Sequence, residues 1–555
     1  MRLRFRAAAR ALTAVAFCLL LALGSRAPGS FSIASTPQQT RKQRPSQLDP
    51  DALTRIKDQA FNHSQLLPVL SYVSDIAGPR LTGSPGLRQA EEWIKSRLEE
   101  WGLANPHLEP WGPFGRGWSL TSFSASMIRP RFSPLIAYAK AWSPGTGGPI
   151  RGEPVYFDAT TDAELRGFEG KLQGRIVLIS RPRELKPHFE PLAHRLSDQQ
   201  LLKLANLDPS ESHSFQVTSE QKAAQELLNK KWKMAYRQHA ALVLSAGYSD
   251  GGVVYVTSAT PDPSVKPSAI SSDPDIIPPW SANSPPVLPQ AVLAAEQYNR
   301  ITRLIGAGIP VELEVNVGAR FYDDDLMSCN VIADLPGGDL SGQVVILGGC
   351  VDSWHAGTGA TDNAAGVAVC MEALRILKEL GLHPRRTIRL GLWSGEEQGR
   401  LGSRAYVARH FAERSDPAER PDPTGSPNQL KRKPEYEKLW AAFDLDDGTG
   451  KIRGIYLQGH EAARPIFSKW LAPLKDLGAS TLTIAGFNVA DNYSFEEAGL
   501  PGFFFLRDEI EYGRYAHTNM DVFDRIQEDD LKQAAAVVAW IVYNAAMCDE
   551  RITPP

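Results

Sequence analysis

Five short stretches of this 555-residue chain carry residue types that could do chemistry together. Gly348-Gly349-Cys350-Val351-Asp352 follows an apolar run at Val344–Leu347. Thr361-Asp362-Asn363 heads an amphipathic segment. Ser394-Gly395-Glu396-Glu397 follows the strand-like stretch Thr387–Trp393. Asp444-Leu445-Asp446-Asp447 follows Ala441, and Ala516-His517-Thr518-Asn519-Met520-Asp521 lies near the end. Crowded carboxylates repel one another and resist ionising unless a cation compensates. A divalent metal is the natural compensation, and zinc accepts carboxylate oxygen, imidazole nitrogen or thiolate sulfur. Two zinc ions ~3.5–4 Å apart can activate a water and polarise a carbonyl. The adjacent Glu396 and Glu397 suit a division of labour, one carboxylate holding metal and the other taking a proton from water.

These residues can act together only if the fold gathers them. Val344–Leu347 is short and wholly apolar, as in a buried strand, and Thr387–Trp393, Ala441–Leu445, Gly454–Leu457 and Pro501–Leu506 read as further strands. Asn363–Leu380 reads as a helix with Val367, Cys370, Met371, Leu374 and Leu377 on one face, ended by Gly381 and Pro384. Asp530–Met547 reads as the last helix, and Val292–Ile305 as a helix before a strand at Ile309–Val317. Nearer the start, Asp51–Ile76 reads as helical. Pro85 opens a helix with Leu87, Ala90, Ile94, Leu98 and Trp101 on one face, stopped by Gly102. Alternating strands and helices predict an α/β fold with a mostly parallel sheet flanked by helices. Ligands gather beyond the carboxyl ends of strands in such sheets, and most of the acidic stretches lie where a strand hands over to a loop.

Residues 130–290 differ in texture. Short β-type runs (Ile176–Ile179, Ala241–Leu244, Val253–Val256) are interrupted by a charged, helix-prone stretch over 184–237, read as a solvated insertion, and end in a Pro/Ser-rich segment at 267–290. They read as an inserted β-rich domain between an N-terminal part of the main domain (31–129) and its remainder (291–555). A second Pro-rich segment, 415–428, reads as a surface loop.

With Asp352-Ser353-Trp354, Gly359-Ala360-Thr361-Asp362-Asn363, Trp393-Ser394-Gly395-Glu396-Glu397, Leu401-Gly402-Ser403, Asp446, Asp491, Gly499-Leu500-Pro501-Gly502 and His517-Thr518-Asn519-Met520-Asp521 in this order, the chain resembles the two-zinc exopeptidase family. The similarity covers most of 51–130 and 291–550, and the insert resembles the protease-associated domain such enzymes often carry. The resemblance implies that Asp362 bridges two metals, that position 350 and Asp446 complete one site, and that Glu397 and His517 complete the other. It implies Glu396 as general base, Asp352 as the residue orienting the first ligand, and Asp491 and Asn492 as borders of a peptide-binding pocket. The sequence departs from the family at Cys350, where histidine is usual, and at Ala490-Asp491-Asn492, where Thr-Asp-His is usual. A thiolate can hold zinc at ~2.3 Å, and His355 in the same loop could substitute. A hydrolase with two zincs, one with a single metal at Asp362, Glu397 and His517, and a non-catalytic relative all stay open. So does the choice between amino- and carboxyl-end cleavage. Asp444 and Asp447 are read as solvated or turn neighbours of Asp446. Cys329, Cys370, Trp111 and Trp118 are read as packing residues.

Composition narrows the field. With 60 Lys+Arg against 63 Asp+Glu there is no basic excess to bind nucleic acid. Five cysteines in so long a chain are not a disulfide framework. Arg2, Arg4, Arg6 and Arg10, then an apolar run from Ala11 to Gly24, then small residues, read as a secretory signal over 1–30 followed by a polar lead-in. The run is too short for a permanent membrane span, which takes ~20 apolar residues. Export of a mildly acidic chain follows, with oligomeric state open.

Overall fold

Eight strands make one large sheet: β1 (Ala104–Trp111), β2 (Ser328–Leu335), β3 (Val344–Cys350), β4 (Thr387–Trp393), β5 (Leu439–Asp444), β6 (Ile452–Tyr456), β7 (Thr481–Thr483) and β8 (Gly502–Arg507). Their order is β1-β2-β4-β3-β5-β8-β6-β7. The four central strands β4, β3, β5 and β8 run parallel. Antiparallel pairs lie outside them, β1 with β2, β2 with β4, and β6 with β8. The computed structural model describes residues 49–208, 218–265, 277–414 (414 by its backbone only) and 430–552. The expected signal (1–30), the lead-in as far as residue 48 and the Pro-rich segment 415–428 lie outside these residues.

The central strands are mostly apolar because both faces are covered, with Arg389 of β4 paired to Asp334 of β2. Val345, Leu347, Ile388, Leu390, Phe443, Phe503 and Phe505 face a core shared with helices Pro50–Asn62, Ala365–Glu379 and Glu528–Met547. Ile332, Ile346, Trp393 and Ala442 face the other side, against Tyr406, Val407 and Phe411 and against Phe495. Helix Pro85–Glu100 starts on the Ser84 side chain, which accepts from the Leu87 amide, and Gly102 follows its end at φ 70°.

Some expectations are corrected. The helical stretch 51–76 breaks at His63–Gln65 into Pro50–Asn62 and Leu66–Ser71, the latter running on as a wider turn over Tyr72–Ile76. Val292 belongs to strand Gln290–Leu293, and the helix starts at Ala295, because an unbroken apolar run conceals a strand-to-helix change. Val253–Val256 joins no sheet and makes only an isolated bridge at Tyr255. Helix Ser219–Arg237 is not wholly solvated, since Trp232, Met234, Ala235 and Tyr236 pack inward.

Strands Gly117–Arg129 and Glu312–Tyr322 pair antiparallel along their length. Between them the chain forms a five-stranded sheet, ordered Ala137–Ala139, Gln290–Leu293, Leu242–Ala246, Ile176–Leu178 and Val155–Tyr156. Its inner face shares a core with the paired strands through Leu244, Leu293, Leu313 and Val315.

Arg80 locks the loop after β3. It is 0% exposed, and its guanidinium donates to the carbonyls of Val351 (2.8 Å), Thr358 (2.8 Å), Gly359 (2.9 Å), Val73 (3.1 Å) and Gly78 (3.3 Å). Its own amide donates to Ser353 Oγ at 3.1 Å. A planar five-donor group spans carbonyls that no shorter cation can reach together. Arg80→Met is therefore expected to lower unfolding stability in a urea titration by about 3 kcal/mol or more, since several carbonyls stay buried without partners. A loss under about 1 kcal/mol would mean that the loop finds other donors.

Candidate metal centre

The parallel register collects the acidic loops at one edge. Gly348 lies beside Gly391 of β4 and Asp444 of β5, and Cys350 beside Trp393. The loops leaving β3, β4 and β5 therefore start level with one another. Two glycines let them close in. A Cβ at Gly349 would stand 2.6 Å from the Leu445 carbonyl, so only glycine lets the Cys350 and Asp446 segments approach. Gly395, at φ 73°, turns the chain after β4 against the Trp111 ring and presents Glu396 and Glu397.

Two groups of three donors result, and they share Asp362. The ligand atoms of Cys350, Asp362 and Asp446 lie within 4.8 Å of one another, and so do those of Asp362, Glu397 and His517. Cys350 is 0% exposed and Asp362 and Asp446 are each 4% exposed. His517 Nε2 stands 2.9 Å from Asp362 Oδ2 and 3.1 Å from Glu397 Oε2. The Cys350 thiol donates to Asp446 Oδ2 at 3.4 Å. Glu397 Oε1 is buried with no hydrogen-bond partner.

Neighbouring residues hold the donors in place. The Asp521 carboxylate accepts from the amides of Thr361 (2.6 Å) and Asp362 (3.2 Å), fixing the backbone of the shared aspartate. The peptide between Asp362 and Asn363 is cis, and the α-helix proper begins only at Ala365. Asp352 Oδ1 accepts from the Glu396 amide at 3.1 Å, and Oδ2 from the Thr82 hydroxyl at 2.7 Å. Asp352 thus braces the Glu396 backbone. Asp491 accepts from the Ser403 hydroxyl, and the Asn492 side chain donates to the Phe487 carbonyl at 2.9 Å. Both are buried beside the carboxylates and stand outside the two donor groups.

Two expectations change here, for His355 and Asp444, and one holds in part, for Asp447. His355 is turned away, with Nε2 2.7 Å from the Ala139 carbonyl, and substitutes in neither donor group. Asp444 is not solvated. It is 4% exposed and accepts from the Asn492 amide at 3.0 Å, because it still belongs to the covered strand. Asp447 is a turn neighbour, at φ 60°, but is largely buried, with its carboxyl hydrogen-bonded to Tyr512. Arg80, Thr82, Asp521 and Tyr255 were not singled out by the sequence. Asp521 alone left a signal, by closing the His517 motif. Cys329, Cys370, Trp111 and Trp118 pack as expected, with Trp111 Nε1 donating to Ser394 Oγ at 2.9 Å.

Burial dominates the electrostatics. It pushes Asp352 up to about 6, despite the Thr82 hydrogen bond. Burial, and then the Asp362 charge, pushes Asp521 up to about 7. Burial also takes Asp491 to about 7, against the Ser403 bond. Glu396 and Asp446 are held well above the carboxylate range by burial and by neighbouring acids, and the Cys350 thiol is raised in the same way. For His517, burial is outweighed by Glu397 and Asp362, which draw the ring above its ordinary value. Buried, mutually repelling acids with thiol and imidazole among them form a donor set that suits zinc.

An acid raised in the folded state binds more protons there than in the unfolded chain. Its contribution to stability therefore falls as pH rises from its ordinary value to the raised one. The raised His517 loses its contribution in the same direction. Zinc requires the deprotonated donors and relieves their repulsion. The melting temperature with saturating zinc is thus expected to exceed that with chelator by a margin that widens as pH rises from about 5 to about 7. A margin that stays flat would contradict a metal held by these acids.

Comparison with known proteins agrees with this geometry. Residues 330–542 match Peptidase family M28. Carboxypeptidase Q of Homo sapiens is 26% identical over 489 residues, covering 87% of this chain and 85% of that protein. Leupeptin-inactivating enzyme 1 of Streptomyces exfoliatus is 35% identical over 105 residues, covering 19% of this chain and 23% of that protein. Among solved structures, a peptidase M28 precursor from Shewanella amazonensis aligns with a TM-score of 0.64 at 21% identity, covering 91% of this chain and 98% of that one. A zinc aminopeptidase from Bacillus subtilis aligns with a TM-score of 0.51 at 18% identity, covering 86% and 94%. Residues 330–542 are therefore a peptidase family M28 domain, in a chain homologous to carboxypeptidase Q over most of its length.

Proposed function

We propose that this metallo-exopeptidase holds two zinc ions and uses Glu396 as the general base for hydrolysis at a peptide end. The observation that carries the reading is the sharing of Asp362 by two donor groups. Cys350, Asp362 and Asp446 would hold one ion, and Asp362, Glu397 and His517 the other. Zinc, when bound, supplies a Lewis acid for water and for the scissile carbonyl.

The chain's own residues do the rest. Glu396 accepts the proton of the attacking water and returns it to the leaving amine. Burial and acidic neighbours raise the proton affinity of its carboxyl, which strengthens it as a base. Asp352 keeps Glu396 in place through its amide. Asp491, fixed by Ser403, and Asn492 border the peptide. The insert is assigned to the protease-associated type, and the N-terminal 30 residues to export. Among the described residues no helix is long and apolar enough to cross a membrane.

One observation favours a second reading. The Cys350 thiol donates a hydrogen bond to Asp446 Oδ2, and a group closed in this way would leave one metal at Asp362, Glu397 and His517. The non-catalytic reading finds no support, because buried acids that share no metal would only destabilise the fold.

Glu396→Gln is expected to reduce peptide hydrolysis at least about 10²-fold while zinc content stays at the wild-type level. Short peptides with free and with blocked ends serve as substrates and also decide which end is cut. Wild-type turnover by the variant would remove Glu396 from the mechanism.

A further inference from the structure

We propose that Tyr255, contributed by the insert, is a positioning residue for His517, so that the insert completes the zinc site rather than standing beside it. The inference rests on the zinc reading of His517. Val254 and Val256 are fully buried in an apolar cluster with Val292 and Ala294. In extended chain the residue between them points the opposite way. Tyr255 accordingly faces His517, with its hydroxyl 3.3 Å from Nδ1 and ring centroids 5.5 Å apart.

The backbones are joined as well. The Val256 amide donates to the His517 carbonyl at 2.9 Å, and the Asn519 amide to the Val254 carbonyl at 3.3 Å. The Val254 amide donates to Asn519 Oδ1 at 2.7 Å. Segment 254–256 thus pairs with 517–519 through both of its ends, as an antiparallel bridge at Tyr255 and Thr518. His517 itself sits at φ 60°, a left-handed conformation that a non-glycine residue keeps only when its surroundings enforce it. Close by, Arg514 Nη2 pairs with Asp250 Oδ1 at 2.7 Å.

The consequence is chemical. Nε2 faces Asp362 and Glu397 and must offer its lone pair to hold a metal, so the ring proton belongs on Nδ1. There it donates to the Tyr255 oxygen. Partners of this kind fix the tautomer and orientation of a metal-binding histidine, and their loss lowers metal affinity about 10–100-fold.

Tyr255→Phe keeps the ring and removes only the hydroxyl. Competition against a chromogenic chelator is expected to show at least about tenfold weaker zinc binding, in a variant whose circular dichroism matches wild type. Nitrogen-edited NMR of metal-free, histidine-labelled chain is expected to show the His517 Nδ1–H proton leaving its hydrogen-bonded downfield position. Unchanged zinc affinity with an unchanged Nδ1–H signal would overturn the proposal. If wild-type chain takes up no zinc, the zinc reading fails and the positioning role with it, while the NMR signal still reports whether the contact exists.

Discussion

The repulsion among buried carboxylates around Asp362 governs this structure. Asp352, Asp362, Asp446, Asp491 and Asp521 are all nearly or wholly buried within one sheet edge, with Glu396 and Glu397 beside them. Left uncompensated, such a group costs stability with every ionisation. Arg80 is fully buried close by, yet it spends its donors on five carbonyls. It shapes the loop that carries Asp352, and its buried charge attracts Asp521, Asp352 and Asp362. His517 adds a second compensating group at Asp362 and Glu397. A zinc ion held by the two donor groups would relieve this repulsion and would itself supply the Lewis acid.

Much of this was legible in sequence because burial leaves a plain mark. β3 and β8 are buried on both faces and read as apolar runs, β4 departs from this only at Thr387 and Arg389, and the acids follow directly after β3 and β4. The motifs from Cys350 to Asp521 then held the residues that the fold gathers into the two donor groups. What stayed hidden depends on backbone rather than side-chain pattern. Arg80 serves carbonyls contributed by 73–78 and 351–359, and a carbonyl has no letter in the sequence. Tyr255 lies 262 residues from His517 in the chain. Its neighbours Val254 and Val256 alternate like a strand, which explains the expected strand and the absence of a sheet: the run pairs with a loop instead. Val292 was misplaced because apolar periodicity does not mark where a strand becomes a helix within one buried run.

Cys350 gives the site an asymmetry. The group of Asp362, Glu397 and His517 combines carboxylates with an imidazole already drawn toward them. The group of Cys350, Asp362 and Asp446 must lose a thiol proton from a wholly buried place before it can bind. Sulfur also donates more charge than imidazole nitrogen and reaches less far from the chain, and Gly349 permits the compensating close approach. The two ions would then differ in affinity and in acidity, with the more accessible one beside the insert.

Zinc counted per chain, after exchange into zinc buffer and removal of the excess, tests the shared aspartate most directly when wild type and Asp362→Ala are compared. Wild type should retain two ions and the variant close to none, since one carboxylate serves both groups. A variant that keeps the wild-type count would contradict the account.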